Sequence, residues 1–457
     1  MRWTLPSMAW HHLPVNRRAA PALLLAMVSF GACATPMAPD RARVSTEITS
    51  RTRLETHGLP APGKVWTAPP GATLEDGVGI DEAVAIALWN NPDFQVALSS
   101  LGIARADLID AGLLKNPVLS LLFPWGPKQL EFVATFAVDQ LWQRPKRVED
   151  ARLNAESNVA LLANGGLRLI ADVRLAFFES LAAERRLALA TEQAAVAAQA
   201  ARIAEGRLRA GDISEFEARL ARTDQLRLEA ARLTRVTARD VAIVRLRALL
   251  GLDPQAPEIR LDSPLALTAA GCQPGPELYQ SAMATRPDVR AAEMQIEAAG
   301  ARAGLEKGRI VAFTAMLDAN GRGIEGFEMG PGIQIELPVL SQNEGRRARA
   351  AAEIEQSSRR YLAVRAQVSS EIATALIGLT EAQDTARLLG GDVAASLAAA
   401  GQQAEGLYRA GEISLLALLD TRQRLIEVEL TRIDATFGVN RAIVRLEQAV
   451  GRNCAPR

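Results

Sequence analysis

Polar and apolar positions along the chain follow two rhythms. Near residue 335 the alternation is strict, with Ile333, Ile335 and Leu337 on one side and Gln334 and Glu336 on the other. That is the period of two expected of a strand with one apolar and one wet face. Three further short apolar segments, Val118–Phe123, Phe132–Val138 and Ile310–Leu317, join Gly332–Leu337 to make four. The first pair flanks Pro124-Trp125-Gly126-Pro127 and the second flanks Asn320-Gly321-Arg322-Gly323, the punctuation of hairpins. A first helix is predicted over Asp81–Gly112 and its counterpart over Pro276–Lys307. Very long helices follow over Arg147–Arg209 and Arg346–Arg409, each with a returning helix that ends at Gly251 or Gly451. Helices of this length span roughly 90–100 Å at ~1.5 Å per residue. No globular domain encloses that, so they must pack along their length as coiled coils. Asn164-Gly165-Gly166 interrupts the first long helix. Two glycines cost about 2 kcal/mol relative to alanine in a helix, which predicts a kink there.

The whole plan occurs twice. Arg209-Ala210-Gly211-Asp212-Ile213-Ser214 recurs as Arg409-Ala410-Gly411-Glu412-Ile413-Ser414, offset by 200. Ile243-Val244-Arg245-Leu246 recurs at the same offset as Ile443-Val444-Arg445-Leu446, and Lys146-Arg147 aligns with Arg346-Arg347. Asn91-Pro92-Asp93 recurs as Arg286-Pro287-Asp288, offset by 195. Matches in one order over most of the chain identify a duplication. Gly211 and Gly411 stand where a left-handed residue ends a helix, and the acid and serine after each suit the start of the next. The expected organisation is a first repeat over 75–251, a linker over 252–276, a second repeat over 277–451 and a tail over 452–457.

The N-terminus reads as an address. Arg17-Arg18 precedes an apolar run from Ala19 to Phe30, the basic and apolar regions of a signal peptide over 1–32. The run is too short to span a bilayer, which takes about 20 apolar residues. Phe30-Gly31-Ala32-Cys33 resembles the lipobox of bacterial lipoproteins, in which the cysteine is acylated; residues 33–74 would then form a lipid-anchored extension. Ala34, where an Asp would retain such a protein at the inner membrane, favours the outer membrane. No later segment reaches eighteen consecutive apolar residues. That excludes a transmembrane helix but leaves a β-barrel open.

Composition narrows the chemistry. The 457 residues carry 52 basic and 52 acidic side chains, a balance that argues against a nucleic-acid partner. Aromatics are only 4%, while Ala, Leu, Arg and Glu dominate long stretches, the bias of long helices and coiled coils. Of three histidines, His11 and His12 precede Cys33, leaving His57 alone. Most hydrolytic triads and catalytic zinc sites need a histidine in an ordered core, so the composition favours a non-enzyme without cofactor or bound metal.

The paired hairpins, Asn90-Asn91-Pro92-Asp93 at the first helix and the two Arg209–Ser214 and Arg409–Ser414 reversals together resemble the TolC-like outer-membrane efflux family, over residues 75–451. Arg144-Pro145-Lys146-Arg147 and the stretch from Leu337-Pro338 to Gly345 most resemble the branch serving heavy-metal RND efflux pumps. The resemblance implies a mainly helical fold with a small β part. Three protomers would share a twelve-stranded outer-membrane barrel, continued by a periplasmic helical barrel. It implies a passive exit duct working with a periplasmic adaptor (membrane fusion) protein and an inner-membrane RND pump, embedded in outer-membrane lipid. The strand count leads to the trimer independently. Four strands cannot close a barrel, since single-chain barrels start at about eight, and open edges are not tolerated in lipid.

The resemblance also assigns residues. Arg209, Gly211, Asp212 and Ser214, with Arg409, Gly411, Glu412 and Ser414, correspond to tips that meet the adaptor; the alternative is that glycine and serine merely cap helices. Asp420, with Leu416 one turn earlier, corresponds to a periplasmic gate in which three acids would surround the axis; Arg422 and Arg424 could instead neutralise it. Cys272 and Cys454 would sit in the midsection of such a tunnel, as a disulfide or as two buried thiols. Two other readings remain at this point. A periplasmic adaptor has one helical hairpin and extensive β-domains, and a structural coiled-coil lipoprotein needs no strand pairs. Palmitate labelling of the wild type should be lost in Cys33→Ala while the protein still reaches the outer membrane; absence of label from the wild type would refute the anchor.

Overall fold

The computed structural model describes residues 39–454 except 60–66, 73, 75–76, 124, 126–129, 254–258, 268–270, 273–274, 322–326 and 391. The expected signal peptide and Cys33 lie outside the described residues. Helix α1 (Arg41–Thr52) starts at Asp40, whose carboxylate accepts the Arg43 N–H at 2.9 Å. The first repeat then runs α2 (Ile80–Asn90), α3 (Pro92–Gly112), β1 (Val118–Leu122), β2 (Leu130–Ala137), α4 (Asp139–Ala210) and α5 (Glu215–Leu249). The second runs α6 (Pro276–Thr285), α7 (Pro287–Gly308), β3 (Phe313–Gly321), β4 (Phe327–Ile335), α8 (Glu344–Gly390), α9 (Asp392–Arg409) and α10 (Leu415–Val450).

The single helix expected before each hairpin is two. Each breaks on the residue ahead of a proline, Asn91 or Arg286, with ψ of 119° and 131°. Proline crowds the preceding residue out of the helical region and itself suits the first helical position. Asn91 caps α3, its side-chain oxygen accepting the Phe94 N–H at 2.9 Å.

The first long helix is longer and more regular than expected. α4 begins at Asp139 and continues through Asn164-Gly165-Gly166 for 72 residues in all, about 108 Å at ~1.5 Å per residue. The helix keeps its hydrogen-bonded course across these glycines, and Gly166 is used: a Cβ there would collide with the Ile48 side chain and stand 3.3 Å from Phe94. The bare backbone lets α1 and α3 settle on α4, and the apolar surface buried offsets the helix penalty. The second descending helix, expected over Arg346–Arg409, is helical over Glu344–Gly390 and Asp392–Arg409, on either side of residue 391, which lies outside the described residues.

The largest buried cluster joins α1–α4 to residues 246–261, around Ile48, Val78, Phe177 and Leu246. Its counterpart in the second repeat gathers α6, α8 and α10 around Ile372, Leu446 and Val450. Farther along, α10 lies on α4, with Leu419, Ile426 and Ile433 against Ala182, Leu189 and Val196. Both rows step by seven, the heptad spacing of a coiled-coil seam. The repeats close alike. Each returning helix runs into a left-handed glycine, Gly251 (φ 68°) or Gly451 (φ 76°). The residue before the proline break then reaches across, Asn91 Nδ2 donating to the Leu249 carbonyl at 3.0 Å and Arg286 Nη1 to the Ala449 carbonyl at 2.6 Å. A Cβ on Gly251 would strike the Asn90 carbonyl, and one on Gly451 would stand 2.8 Å from Arg286 Cγ.

The four strands form one antiparallel sheet in chain order, with β2 and β3 joining the repeats. β3 was expected over Ile310–Leu317 but pairs as far as Asn320 and Gly321, opposite Glu131 and Leu130, so these extend the strand instead of turning it. β4 begins at Phe327 and stops at Ile335, leaving Leu337 outside the sheet beside Pro338, which cannot donate to a ladder. Paired glycine variants should separate packing from propensity in α4. Gly166→Ala should destabilise by about 1–3 kcal/mol through overpacking. Gly165→Ala, with nothing within 4 Å of its Cβ, should stabilise by up to about 1 kcal/mol. Thermal dissociation of the detergent-solubilised protein checks both, and equal shifts would refute the packing role of Gly166.

Candidate functional site: helix tips and strand wall

The two tips have one geometry. Gly211 (φ 84°) ends α4 and its N–H donates to the Leu208 carbonyl at 3.0 Å, while the Asp212 N–H reaches the Arg207 carbonyl at 2.9 Å. Gly411 (φ 77°) and Glu412 repeat this with the Tyr408 and Leu407 carbonyls, at 3.0 and 2.9 Å. Ser214 and Ser414 share backbone angles of −75° and 156° and start the returning helices. At the first tip Glu217 completes a capping box, accepting the Ser214 N–H at 2.8 Å. Hydrogen bonds from the Ser214 backbone and then its side chain hold the Glu217 carboxyl below the ordinary carboxylate range. The second tip has Ala417 at that position and no such acid. Arg209, Asp212, Arg409 and Glu412 are all exposed, a charged pair at each reversal.

Above the second tip, Leu416 is half-buried and Asp420 exposed. Asp420 Oδ2 accepts from Arg424 Nε at 3.1 Å along the helix, whereas Arg422 has no ion pair to it. Ala200 and Ile203 of α4 pack on the same cluster as Leu415, so the two tips lie at one end of the paired helices.

Cys272 and Cys454 form a disulfide, with Cα atoms 4.9 Å apart. It fastens the inter-repeat linker to the tail just past α10. Glu447 faces the same spot, accepting the Cys454 N–H at 3.0 Å and forming a close ion pair with Arg174 of α4. Nearby, Arg286 is 4% exposed. Its guanidinium binds Asp288 at 2.6 Å and Glu371 of α8 at 2.7 Å. Burial opposes its charge, but the bonds to Asp288 and Glu371 outweigh burial and hold its pKa above the ordinary arginine value. Sequence reading noted Arg286 only as the counterpart of Asn91; the charge at that position was the available sign of an ionic role.

At the opposite end of α4 stands the sheet. The register places Leu119, Leu121, Phe132, Leu317 and Ile333 on one face, and every described side chain on that face is apolar. The other face carries Ser120, Thr135, Thr314 and Gln334 together with the acids Glu131, Asp318 and Glu328. The four strands contain no Lys or Arg. β1 and β4 each pair on one side only among the described residues. An open groove of about 1060 Å³ between α4, α8 and α10 mixes Arg441 and Arg445 with Asp434 and Glu381. Among the described residues no group of His, Cys, Asp and Glu is placed to hold a metal ion.

Residues 278–452 match the family model of the outer membrane efflux protein. The cobalt-zinc-cadmium resistance protein CzcC of Cupriavidus metallidurans is 25% identical over 379 residues, covering 82% of this chain and 90% of that protein. Among solved structures, the outer-membrane channel OprN superposes with a TM-score of 0.68 at 20% identity, over 93% of this chain and 99% of its own. CusC gives 0.67 at 20% identity, over 85% and 99%. These likenesses and the geometry give the chain the fold of the outer-membrane efflux channels. The chain is thus similar to the outer membrane efflux proteins in sequence over residues 278–452 and in fold over most of its length.

Proposed function

We propose that this chain is the exit duct of a tripartite efflux system: a lipid-anchored homotrimer in the outer membrane that passes substrate delivered by an inner-membrane RND pump through a periplasmic adaptor. The observation that carries the reading is the sheet. One face is wholly apolar, as a lipid-facing wall must be, and both edges are open among the described residues. Bilayer hydrocarbon tolerates neither an open edge nor a four-stranded barrel, and three such sheets make twelve strands. Exposed apolar side chains at the margins, Phe216, Leu226, Leu233 and Val244 on α5 and Leu362, Ile377 and Leu388 on α8, are available to neighbouring protomers. The repeats at 75–251 and 277–451 then supply the wall twice over, with signal peptide 1–32 and the lipid anchor at Cys33 ahead of them.

Substrate preference follows from wall charge, because a duct without a binding pocket selects by width and field. The polar face of the sheet becomes the lumen, lined by Glu131, Asp318 and Glu328 with no basic residue in the strands. That wall suits cations, in keeping with heavy-metal efflux and with the cobalt-zinc-cadmium resistance named for CzcC. The exposed tips, Arg209–Ser214 and Arg409–Ser414, are the adaptor-docking surfaces, and Leu416 and Asp420 form the gate.

Planar bilayers test the duct. The purified trimer should conduct with cation preference, and the triple variant Glu131→Gln, Asp318→Asn, Glu328→Gln should cut that preference several-fold at low salt. An unchanged reversal potential would refute the wall-charge reading; no conductance in any preparation would refute the channel.

Asp420→Ala tests the gate. Its pair with Arg424 is exposed, and such pairs contribute ~1 kcal/mol or less, so folding should survive. Conductance should rise, and block by multivalent cations from the tip side should weaken, with both effects shrinking as the Debye length falls from about 10 Å at 0.1 M to about 3 Å at 1 M salt. A variant indistinguishable from wild type would place the constriction elsewhere.

A further inference from the structure

We propose that the sheet closes against a second copy of this chain in one defined register, with β4 of one protomer antiparallel to β1 of the next. In it Ile335 stands opposite the partner's Leu119, Gln334 opposite the partner's Ser120, and Ile333 opposite the partner's Leu121. The inference rests on the trimer proposed above and adds which residues meet.

The direction of the backbone groups sets the parity. The Glu336 N–H donates to the Ala312 carbonyl at 3.1 Å. Antiparallel ladders alternate in the side to which N–H and C=O point. Even-numbered residues of β4 therefore bond to β3, and Met329, Pro331, Ile333 and Ile335 turn their backbone groups to the open edge. The Val138 N–H donates to the Phe313 carbonyl at 2.8 Å, so even-numbered residues of β2 face β3 and odd-numbered ones face β1. Their partners in β1 are Val118, Ser120 and Leu122, which leaves Leu119 and Leu121 aimed outward. Joining the two edges must pair odd with odd. All of these residues lie on the apolar face, so the lipid wall continues across the seam.

The duplication fixes the register within that parity. β1 and β2 correspond to β3 and β4, and the join between β2 and β3 is the same kind of seam as the one between β4 and the next protomer's β1. Gly112 closes α3 and Gly308 closes α7, each six positions before Val118 or Thr314. The pair Val118–Thr135 then corresponds to Thr314–Gln334, pairing onto pairing and face onto face. In the internal join Phe136 meets Ala315, Thr135 meets Met316 and Ala134 meets Leu317. Transferred by that correspondence, these become Ile335 with Leu119, Gln334 with Ser120 and Ile333 with Leu121.

Two prolines support this register independently. One step beyond it, Pro331 falls opposite Phe123, where β1 has already ended at Leu122. One step before it, Pro117 falls opposite Leu337, outside β4. Neither missing N–H is then asked for inside the ladder. A slip of two residues one way would put Leu121 against Pro331; a slip the other way would carry Leu119 past the end of β4.

Ser120 and Gln334 would form a non-hydrogen-bonded pair, whose Cβ atoms approach to about 4.5–5.5 Å, close to disulfide reach. The full-length double variant Ser120→Cys, Gln334→Cys, oxidised mildly in the outer membrane, should run mostly as covalent dimers and trimers on a denaturing gel without reductant. Ser120→Cys with Gly330→Cys, displaced by about 13 Å along the strand, should run as monomer, as should each single variant. The native Cys272–Cys454 bond lies within one chain and adds no intermolecular band. Light scattering of the reduced samples reads assembly separately. A trimeric mass with cross-linking at Gly330, or at neither position, would overturn the register while leaving the trimer standing. A monomeric mass would overturn both.

Discussion

The fold depends on a close backbone approach made twice, where the end of a returning helix is pressed against a proline break. At Gly251 and Gly451 the chain turns left-handed with no room for a side chain. Both requirements point to glycine, and the neighbouring Asn91 or Arg286 then satisfies a carbonyl that the helix end leaves without an intrahelical partner. This contact returns the far end of a long hairpin to the level at which the first helices begin. The helices between can therefore run side by side in register, with the strands at one end and the tips at the other.

The two copies have solved that closure with different chemistry. In the first, a neutral amide spans the gap and apolar packing around Ile48, Phe94 and Phe177 carries the load. In the second, a buried guanidinium gathers Asp288, Glu371 and the Ala449 carbonyl. Such a site is costly if any partner is lost, because an unpaired buried charge is far worse than none. It also draws α7, α8 and α10 into one junction, which the amide of Asn91 could not do. The first copy has α1 laid across it instead, admitted by Gly166.

Much of this was legible in the residues, and the misses share a cause. The repeat, the alternating strand segment and the glycine reversals at 211 and 411 are local patterns, readable because backbone geometry at those points depends on neighbours in sequence. The uninterrupted course of α4 past Gly165-Gly166 was not, because what offsets those glycines is Ile48, over a hundred positions away. The extension of β3 through Asn320 and Gly321 likewise came from pairing with β2 of the other copy, which outweighed their turn preference. The acids of the strand wall were visible as residues, but their common face required the register. Arg286 was visible only as a mismatch within the repeat.

The bond between Cys272 and Cys454 spans 182 residues of sequence. Those residues are nearly the whole second copy, so that copy is topologically a ring and the first is an open string. In the chain-entropy view, closing a loop of that size removes roughly 5 kcal/mol of freedom from the unfolded chain. The benefit falls on one half of a duplicated molecule. Severing the backbone anywhere in the second copy, even at its exposed tip, leaves one covalent molecule; severing the first copy leaves two.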